Sequence, residues 1–361
     1  MLNRTVILAA GGTGGHVFPA QALAEALILN GWRVVLVTDH RGNFFANEFP
    51  NEVQKVVLNL YNPRGRGWFA FIRSLWFFIC SSITIVRWCW KLKVTAIVGF
   101  GGYPSATSMF VGFVLRINSV IHEQNAVLGT VNKIFYKKVK LVVFGITPKD
   151  LQYRKGSTLV LGNPIRQFVQ KVVPKNYSAL QLDSFLIVVV GGSQGANFVS
   201  SIACDAILDL PKGMRSKLTV MHQCRHENIT EISRKYENFK INAKTKSFFN
   251  DIPSLLNAAH LIISRSGASA LAEFCYFGRP SILIPLPSSV GDHQKLNASV
   301  MEHSGASVVF DENSINSALL SKKIYDILTN FKVANQMALS AKKLSKPNAA
   351  LNFAMELENL R

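Results

Sequence analysis

Apolar and polar positions along this chain are arranged in blocks. Residues 5–10 form a continuous apolar run ending in glycines, residues 19–30 carry apolar positions at helical spacing that closes at Gly31, and residues 34–39 are apolar again. This predicts strand, helix, strand. Further buried strands are predicted at 96–100, 119–123 and 141–145. Short strands that are apolar on both faces and alternate with helices imply a parallel sheet covered on each side. Gly162-Asn163-Pro164 interrupts the pattern, and a polar stretch leads into a second beginning, FLIVVVGGSQGA (185–196), with a helix from near Ala196. Strands follow at 218–222, 261–264 and 281–286, and a last helix over 342–359 is expected to break near Pro347. The predicted fold class is α/β, with two Rossmann-like, doubly wound domains, 1–162 and 163–341, facing a central cleft where strands end at their carboxyl termini.

Composition narrows the partners. With 361 residues and 48% apolar content the chain can bury a sizeable core and is not disordered. The formal charge is +19, with 18 basic against 6 acidic residues up to Gly162 and 22 against 15 after it. Such an excess suits nucleic acid, an anionic membrane surface or phosphorylated substrates. Cys80, Cys89, Cys204, Cys224 and Cys275 are odd in number and form no C-x-x-C, so neither a disulfide framework nor a zinc site is expected, and the compartment is reducing. One early arginine and a short apolar run, 6–10, do not resemble a secretory signal.

Glycine turns between strand and helix let backbone N–H groups approach an anion while the helix N-terminus adds its partial positive charge. The chain has such turns at 11–15, 99–102 and 191–195. A nicotinamide oxidoreductase would use one of them, with Asp39 on the ribose, but the fingerprint needs glycine where Val17 stands. Asp39 then reads as a strand-end residue. No P-loop pattern occurs either. In SRSGASALAE (264–273), Ser266 and Gly267 open a helix that offers N–H donors to a phosphate, and Glu273 can accept both hydroxyls of a ribose. Asn125 follows a buried strand, Arg166 beside Asn163-Pro164 offers a bidentate phosphate clamp, and the Gln294 and Asn297 amides suit sugar hydroxyls.

Taken together and in order, GGTGGHVFPA (11–20), GFGGYPS (99–105), HEQNAVLG (122–129), GNPIR (162–166), GGSQGA (191–196), SRSGASALAE (264–273) and DHQKLNA (292–298) resemble the MurG glycosyltransferase family. Its members add N-acetylglucosamine to the lipid-linked muramoyl-pentapeptide precursor of bacterial cell wall. The resemblance implies a GT-B fold whose final helix, about 342–361, crosses back to the first domain. It implies an inverting transfer from UDP-GlcNAc to the C4 hydroxyl of undecaprenyl-diphospho-MurNAc-pentapeptide, at the cytoplasmic face of the inner membrane. By the same resemblance Glu273 holds the uridine ribose, Ser193 and Gln194 meet the nucleotide phosphate, Phe249 to Ile252 receive uracil, and Gln294 and Asn125 approach the donor sugar. Gly12, Thr13, Gly14, Gly15, His16, Gly101, Gly102 and Tyr103 fall to the acceptor diphosphate, with Thr13, Gly14 and Gly15 also near the donor.

His16 is the candidate general base, because imidazole titrates near neutral pH; hydrogen bonding to the acceptor or a phosphate is the alternative, and His122 and Glu123 are other candidates. No Asp-x-Asp metal motif occurs, so leaving-group stabilisation falls to helix N-termini, Ser193 and Arg166, with no metal or cofactor expected. A related transferase acting on a diacylglycerol-type lipid is the rival within the same fold. A non-catalytic basic adaptor would leave the glycine loops unexplained, and nucleic acid is not expected as a partner.

Residues 72–90 carry too short an apolar run between arginines to span a bilayer. At helical spacing Ile72, Leu75, Trp76, Ile79, Ile83, Val86 and Trp90 make one apolar face, opposite Arg73, Ser81, Thr84, Arg87 and Lys91. That face suits either a core helix or an interfacial one assisted by Arg64, Arg66, Lys137, Lys138 and Lys140.

Overall fold

The computed structural model describes residues 4–60, 67–148, 157–191 and 197–360. The chain forms two compact units, Met1–Gln167 with Pro347–Arg361, and Phe168–Lys346.

The first unit runs β1 (Thr5–Ala9), α1 (Gly14–Leu29), β2 (Arg33–Asp39), α2 (His40–Phe45), β3 (Gln54–Leu58), α3 (Gly67–Leu92), β4 (Val94–Gly99), α4 (Gly102–Val114), β5 (Asn118–Glu123), α5 (Thr130–Phe135), β6 (Leu141–Phe144) and β7 (Thr158–Val160). Its strands form one sheet in the order β3-β2-β1-β4-β5-β6-β7, every neighbouring pair parallel. All of β1 is buried because cores lie on both faces: Val6 and Leu8 pack with Leu23, Leu27 and Val98, while Ile7 packs with Val35, Ile97 and Ile121. The strand order reverses between β1 and β4, and at such a switch point a crevice opens beyond the carboxyl ends. The Gly11–Gly15 and Gly99–Gly102 turns both lie there.

The second unit runs α6 (Gln167–Gln170), β8 (Phe185–Val190), α7 (Asn197–Leu208), α8 (Lys212–Arg215), β9 (Leu218–Gln223), α9 (Ile229–Asn238), β10 (Asn242–Lys246), α10 (Ile252–Ala258), β11 (Leu261–Ser264), α11 (Ala268–Phe277), β12 (Ser281–Leu283), α12 (His293–His303), β13 (Ser307–Val309), α13 (Ser317–Thr329) and α14 (Phe331–Leu344). Its parallel sheet has the order β10-β9-β8-β11-β12-β13, with the switch point between β8 and β11. The chain then joins the first unit as α15 (Ala349–Asn359), whose Phe353, Ala354 and Leu357 share a core with Leu23 and Leu27 of α1.

Unit boundaries fall a few residues beyond those expected. Residues 163–167 stay with the first unit because Asn163 Nδ2 donates to Gln124 O at 3.0 Å and the Gln167 N–H donates to Glu25 at 2.7 Å. Helix α14 stays with the second, its Lys342 Nζ donating to Tyr276 O at 2.6 Å. The strand expected over 281–286 stops at Leu283, since Pro285 has no N–H and the Leu286 N–H goes to a side chain, Gln294 Oε1, at 3.1 Å.

Helix α3 departs from two expectations. Its inward face is Ala70, Ser81, Ile85 and Cys89, so Ser81, assigned to the solvent side, is buried, its hydroxyl donating to Asn59 O at 3.5 Å. The apolar face faces outward instead: Trp76 is 65% exposed, and Ile72, Leu75, Ile79, Ile83 and Trp90 are exposed with it. Against the expectation from the short run between its arginines, α3 as a whole is long and apolar enough, by length and composition alone, to cross a membrane. Its second half, however, is part of the unit: Ile85 and Cys89 sit in the core, and burial pushes the Cys89 thiol up to about 11.

Candidate functional site

At the β1/β4 switch point, α1 begins at Gly14 with Thr13 as an extended N-cap, and α4 begins at Gly102 with Gly101 as its cap. Neither helix has a side-chain cap bond or an acidic residue in its first turn. A Cβ on Gly102 would stand 3.0 Å from Gly11 O, so the two N-termini adjoin. Together their partial positive charges make an anion-attracting corner. Tyr103, exposed, stands on the first turn of α4.

His16 lies in that corner. Its Nδ1 is 2.9 Å from Gly11 O. A carbonyl only accepts, so Nδ1 is the donor, which in the neutral tautomer leaves the lone pair on Nε2. The ring packs on Gly101, where a Cβ would stand 3.0 Å from Nε2. Gly101 also holds φ +101, a conformation that only glycine adopts cheaply.

Asp39 is more than the strand-end residue expected. Its Oδ1 accepts the Gly12 N–H at 2.9 Å and the Gly42 N–H at 2.7 Å. The carboxylate thus faces the glycine loop and not a ribose. The Gly12 N–H, expected to serve a diphosphate, is already used.

The loop after β5 is built around Glu123, only 2% exposed. Its carboxylate accepts the Asn125 N–H at 3.1 Å, Asn125 Nδ2 at 3.0 Å, the Gly129 N–H at 2.8 Å and Asn132 Nδ2 at 2.8 Å. Those bonds orient Asn125 and occupy the carboxylate, so Glu123 is not a base. His122, wholly buried, pairs Nδ1 with Gln124 Nε2 at 3.1 Å. Desolvation lowers it to about 3, against a backbone hydrogen bond at Gly162 and with a smaller push from His16. It has no access to a substrate proton. Arg166 also departs from expectation: its guanidinium stacks on Phe18, 4.0 Å from the ring centre, and pairs with Glu48 at 3.5 Å. This group braces the first unit and does not stand open as a bidentate clamp.

In the second unit the switch point lies between β8 and β11; Ser193 and Gln194 lie outside the described residues. Beyond β11, Gly267 caps α11, and a Cβ there would meet nothing within 4 Å among the described residues. That open side leaves room for a ligand at the helix N-terminus. Ser266 and Asn297 turn inward, Ser266 Oγ donating to Gln294 O at 2.8 Å and Asn297 Nδ2 donating to Ser266 O at 3.1 Å. Asn297 is wholly buried, so it holds the turn and does not reach a sugar. Gln294 is half-buried, and the Leu286 bond on Oε1 turns its NH2 the other way. Glu273 is half-buried on α11; Phe249 is buried just before Ile252 opens α10, which packs against α11.

Arg265 was not singled out in the sequence. Its Nη1 donates to Ile284 O at 2.9 Å and Pro285 O at 3.0 Å, and it pairs with Glu312. It ties the ends of β11 and β12 to the segment after β13. Only the basic residue inside a small-residue turn signalled it, since its partner is far away in sequence.

Residues 6–144 match the glycosyltransferase family 28 N-terminal domain, and residues 186–353 match the glycosyltransferase family 28 C-terminal domain. Over 356 residues, 98% of each chain, the sequence is 37% identical to the UDP-N-acetylglucosamine--N-acetylmuramyl-(pentapeptide) pyrophosphoryl-undecaprenol N-acetylglucosamine transferase of Caulobacter vibrioides. A protein of the same name from Agrobacterium fabrum is 37% identical over 96% of this chain and 91% of its own. Among solved structures, Acinetobacter baumannii MurG superposes with a TM-score of 0.78 at 24% identity, covering 99% of this chain and all (100%) of that one. The calicheamicin glycosyltransferase CalG4 does so at 0.65 with 13% identity, covering 100% and 99%. The structural likenesses establish the shared two-domain fold.

Proposed function

This chain belongs to glycosyltransferase family 28, and from that premise we propose that it transfers N-acetylglucosamine from UDP-GlcNAc to undecaprenyl-diphospho-MurNAc-pentapeptide. The observation that carries the proposal is 37% identity over 98% of the chain to a transferase of that name. The new bond forms between the muramoyl C4 hydroxyl and the anomeric carbon, with inversion; the bond to UDP breaks, and the hydroxyl proton goes to a base.

His16 is that base. The bond from Nδ1 to Gly11 O fixes the tautomer whose Nε2 can take a proton. The N-termini of α1 and α4, with Tyr103, receive the lipid diphosphate. Donor binding falls to the second unit: Glu273 on the ribose, the backbone at Phe249 to Ile252 on uracil, Gln294 on the sugar. The α11 N-terminus at Gly267 and Ser193 stabilise the departing diphosphate, as oriented donors do most effectively where charge develops.

Such an acceptor is held by lipid, and the outward face of α3 supports docking on an anionic membrane. Exposed Phe110, Phe113 and Val114 of α4 and Ile134 of α5 add to the apolar surface. Exposed Arg73, Lys133, Lys137 and Lys138 supply the charge, with Lys138 Nζ 5.0 Å from the Phe113 ring centre. The protein is then peripheral, on the cytoplasmic face.

Complementation tests the assignment. Expression in bacteria depleted of their own transferase of this kind should restore growth and the disaccharide lipid. Expressed protein that restores neither contradicts it.

A further inference from the structure

Strand β2 ends on Asp39 and passes directly into α2, and this junction holds both polar groups of Gly12. Asp39 Oδ1 accepts the Gly12 N–H at 2.9 Å, while Arg41 Nη2 donates to Gly12 O at 3.1 Å. The same carboxylate oxygen accepts the Gly42 N–H at 2.7 Å, so it cannot turn away without uncapping α2. Packing behind the loop is equally close: a Cβ on Gly42 would stand 2.8 Å from Gly11 Cα, and one on Gly11 would stand 2.7 Å from Asp39 Oδ1. Gly12 sits at φ +81. The carbonyl of the same peptide whose N–H Asp39 holds, Gly11 O, receives the Nδ1 proton of His16.

The contacts therefore run in series from the β2–α2 junction, through the Gly11–Gly12 peptide, to the imidazole, with Arg41 holding the next carbonyl. A carboxylate behind a glycine loop also works against a phosphate in front of it and removes one N–H donor. That cost makes sense if the loop's task is to hold the ring, with the anion received by the helix N-termini beside it. We propose that Asp39 and Arg41 are positioning residues for the transfer, bracing the Gly11-Gly12 peptides so that His16 Nε2 meets the acceptor hydroxyl. This rests on the assignment of His16 above.

The test compares full-length Asp39→Ala, Asp39→Asn and Arg41→Ala with the parent, using UDP-GlcNAc and the lipid-linked muramoyl acceptor. Asp39→Ala should lower kcat about tenfold or more, as small misplacements of a catalytic group do, while the UDP-GlcNAc KM stays within about twofold. Asp39→Asn, whose amide oxygen can still accept both N–H groups, should stay within about threefold of the parent. Amide hydrogen exchange over residues 10–17 gives a readout independent of activity: about tenfold faster in Asp39→Ala and near parental in Asp39→Asn. Parental kcat or parental exchange in Asp39→Ala, or Asp39→Asn falling as far as Asp39→Ala, overturns the proposal. If Asp39→Ala does not fold, the exposed Arg41→Ala decides, with faster exchange and lower kcat expected and parental values contradictory. A parent that transfers no sugar removes the functional assignment, and the exchange measurement alone then decides the brace.

Discussion

Burial holds His122 and His222 neutral. Both are wholly enclosed, and desolvation lowers each from 6.5 to about 3. His222 spends its ring on its neighbours, with Nε2 2.7 Å from Ser200 Oγ and Nδ1 2.9 Å from Tyr236 OH. In the unfolded chain both rings take a proton near pH 6.5, so between there and pH 3 the unfolded state binds more protons than the folded one. Stability is full above pH 6.5 and falls as pH drops, by up to about 1.4 kcal/mol per pH unit for each ring. Urea midpoints should therefore fall between pH 7.5 and pH 5; a midpoint constant across that range contradicts the burial of these rings. With His16 as the proposed base, His16→Ala should cut turnover by roughly 10²–10⁴ while leaving the UDP-GlcNAc KM unchanged. Turnover close to parental would remove it as base. The placing of His16 and Gly101 at glycine turns between strand and helix was legible in the motifs. The inward turns of Asp39, Asn297 and Arg166 were not, because they depend on partners such as Gly12, Ser266 and Glu48 that only tertiary packing brings near.

Helix α3 divides its two faces between two environments. Its apolar spacing was legible, yet spacing alone does not say which side meets protein, and the buried side proved to be the one with Ser81, Ile85 and Cys89. The side a helix buries is set by what its sheet offers, here the core around Val94 and Ile97. Substitutions on the two faces should separate. Trp76→Ser should weaken flotation with anionic vesicles and leave thermal stability unchanged, since Trp76 is 65% exposed. Ile85→Ala should cost about 2–4 kcal/mol by opening a cavity and leave flotation of the folded protein unchanged. Equal flotation of parent and Trp76→Ser would contradict docking through this face. The same dependence on context explains the strands that the apolar runs missed. Strands β3 and β10 lie at sheet edges: β3 opens on Gln54 and Lys55, and β10 exposes Asn242, Lys244 and Lys246. Edge strands need no continuous apolar run, and lysines there discourage further pairing.

Across the whole molecule, two parallel sheets with reversed strand order bring glycines to helix starts at the carboxyl ends of central strands, at Gly11–Gly15 and Gly99–Gly102 in the first unit and at Gly267 in the second. That repetition was legible, because a buried parallel strand, a glycine turn and a helix start each leave a local signature. The units also differ in a way that agrees with separate tasks: the first carries His16 and the outward apolar face, and the second carries Gly267 and Glu273 on α11. The central claim is the identity of the sugar acceptor. The direct measurement supplies labelled UDP-GlcNAc to the purified protein with lipid-linked muramoyl-pentapeptide in one reaction and diacylglycerol in another. The account predicts a labelled disaccharide lipid from the first and no product from the second; label on diacylglycerol alone would contradict it.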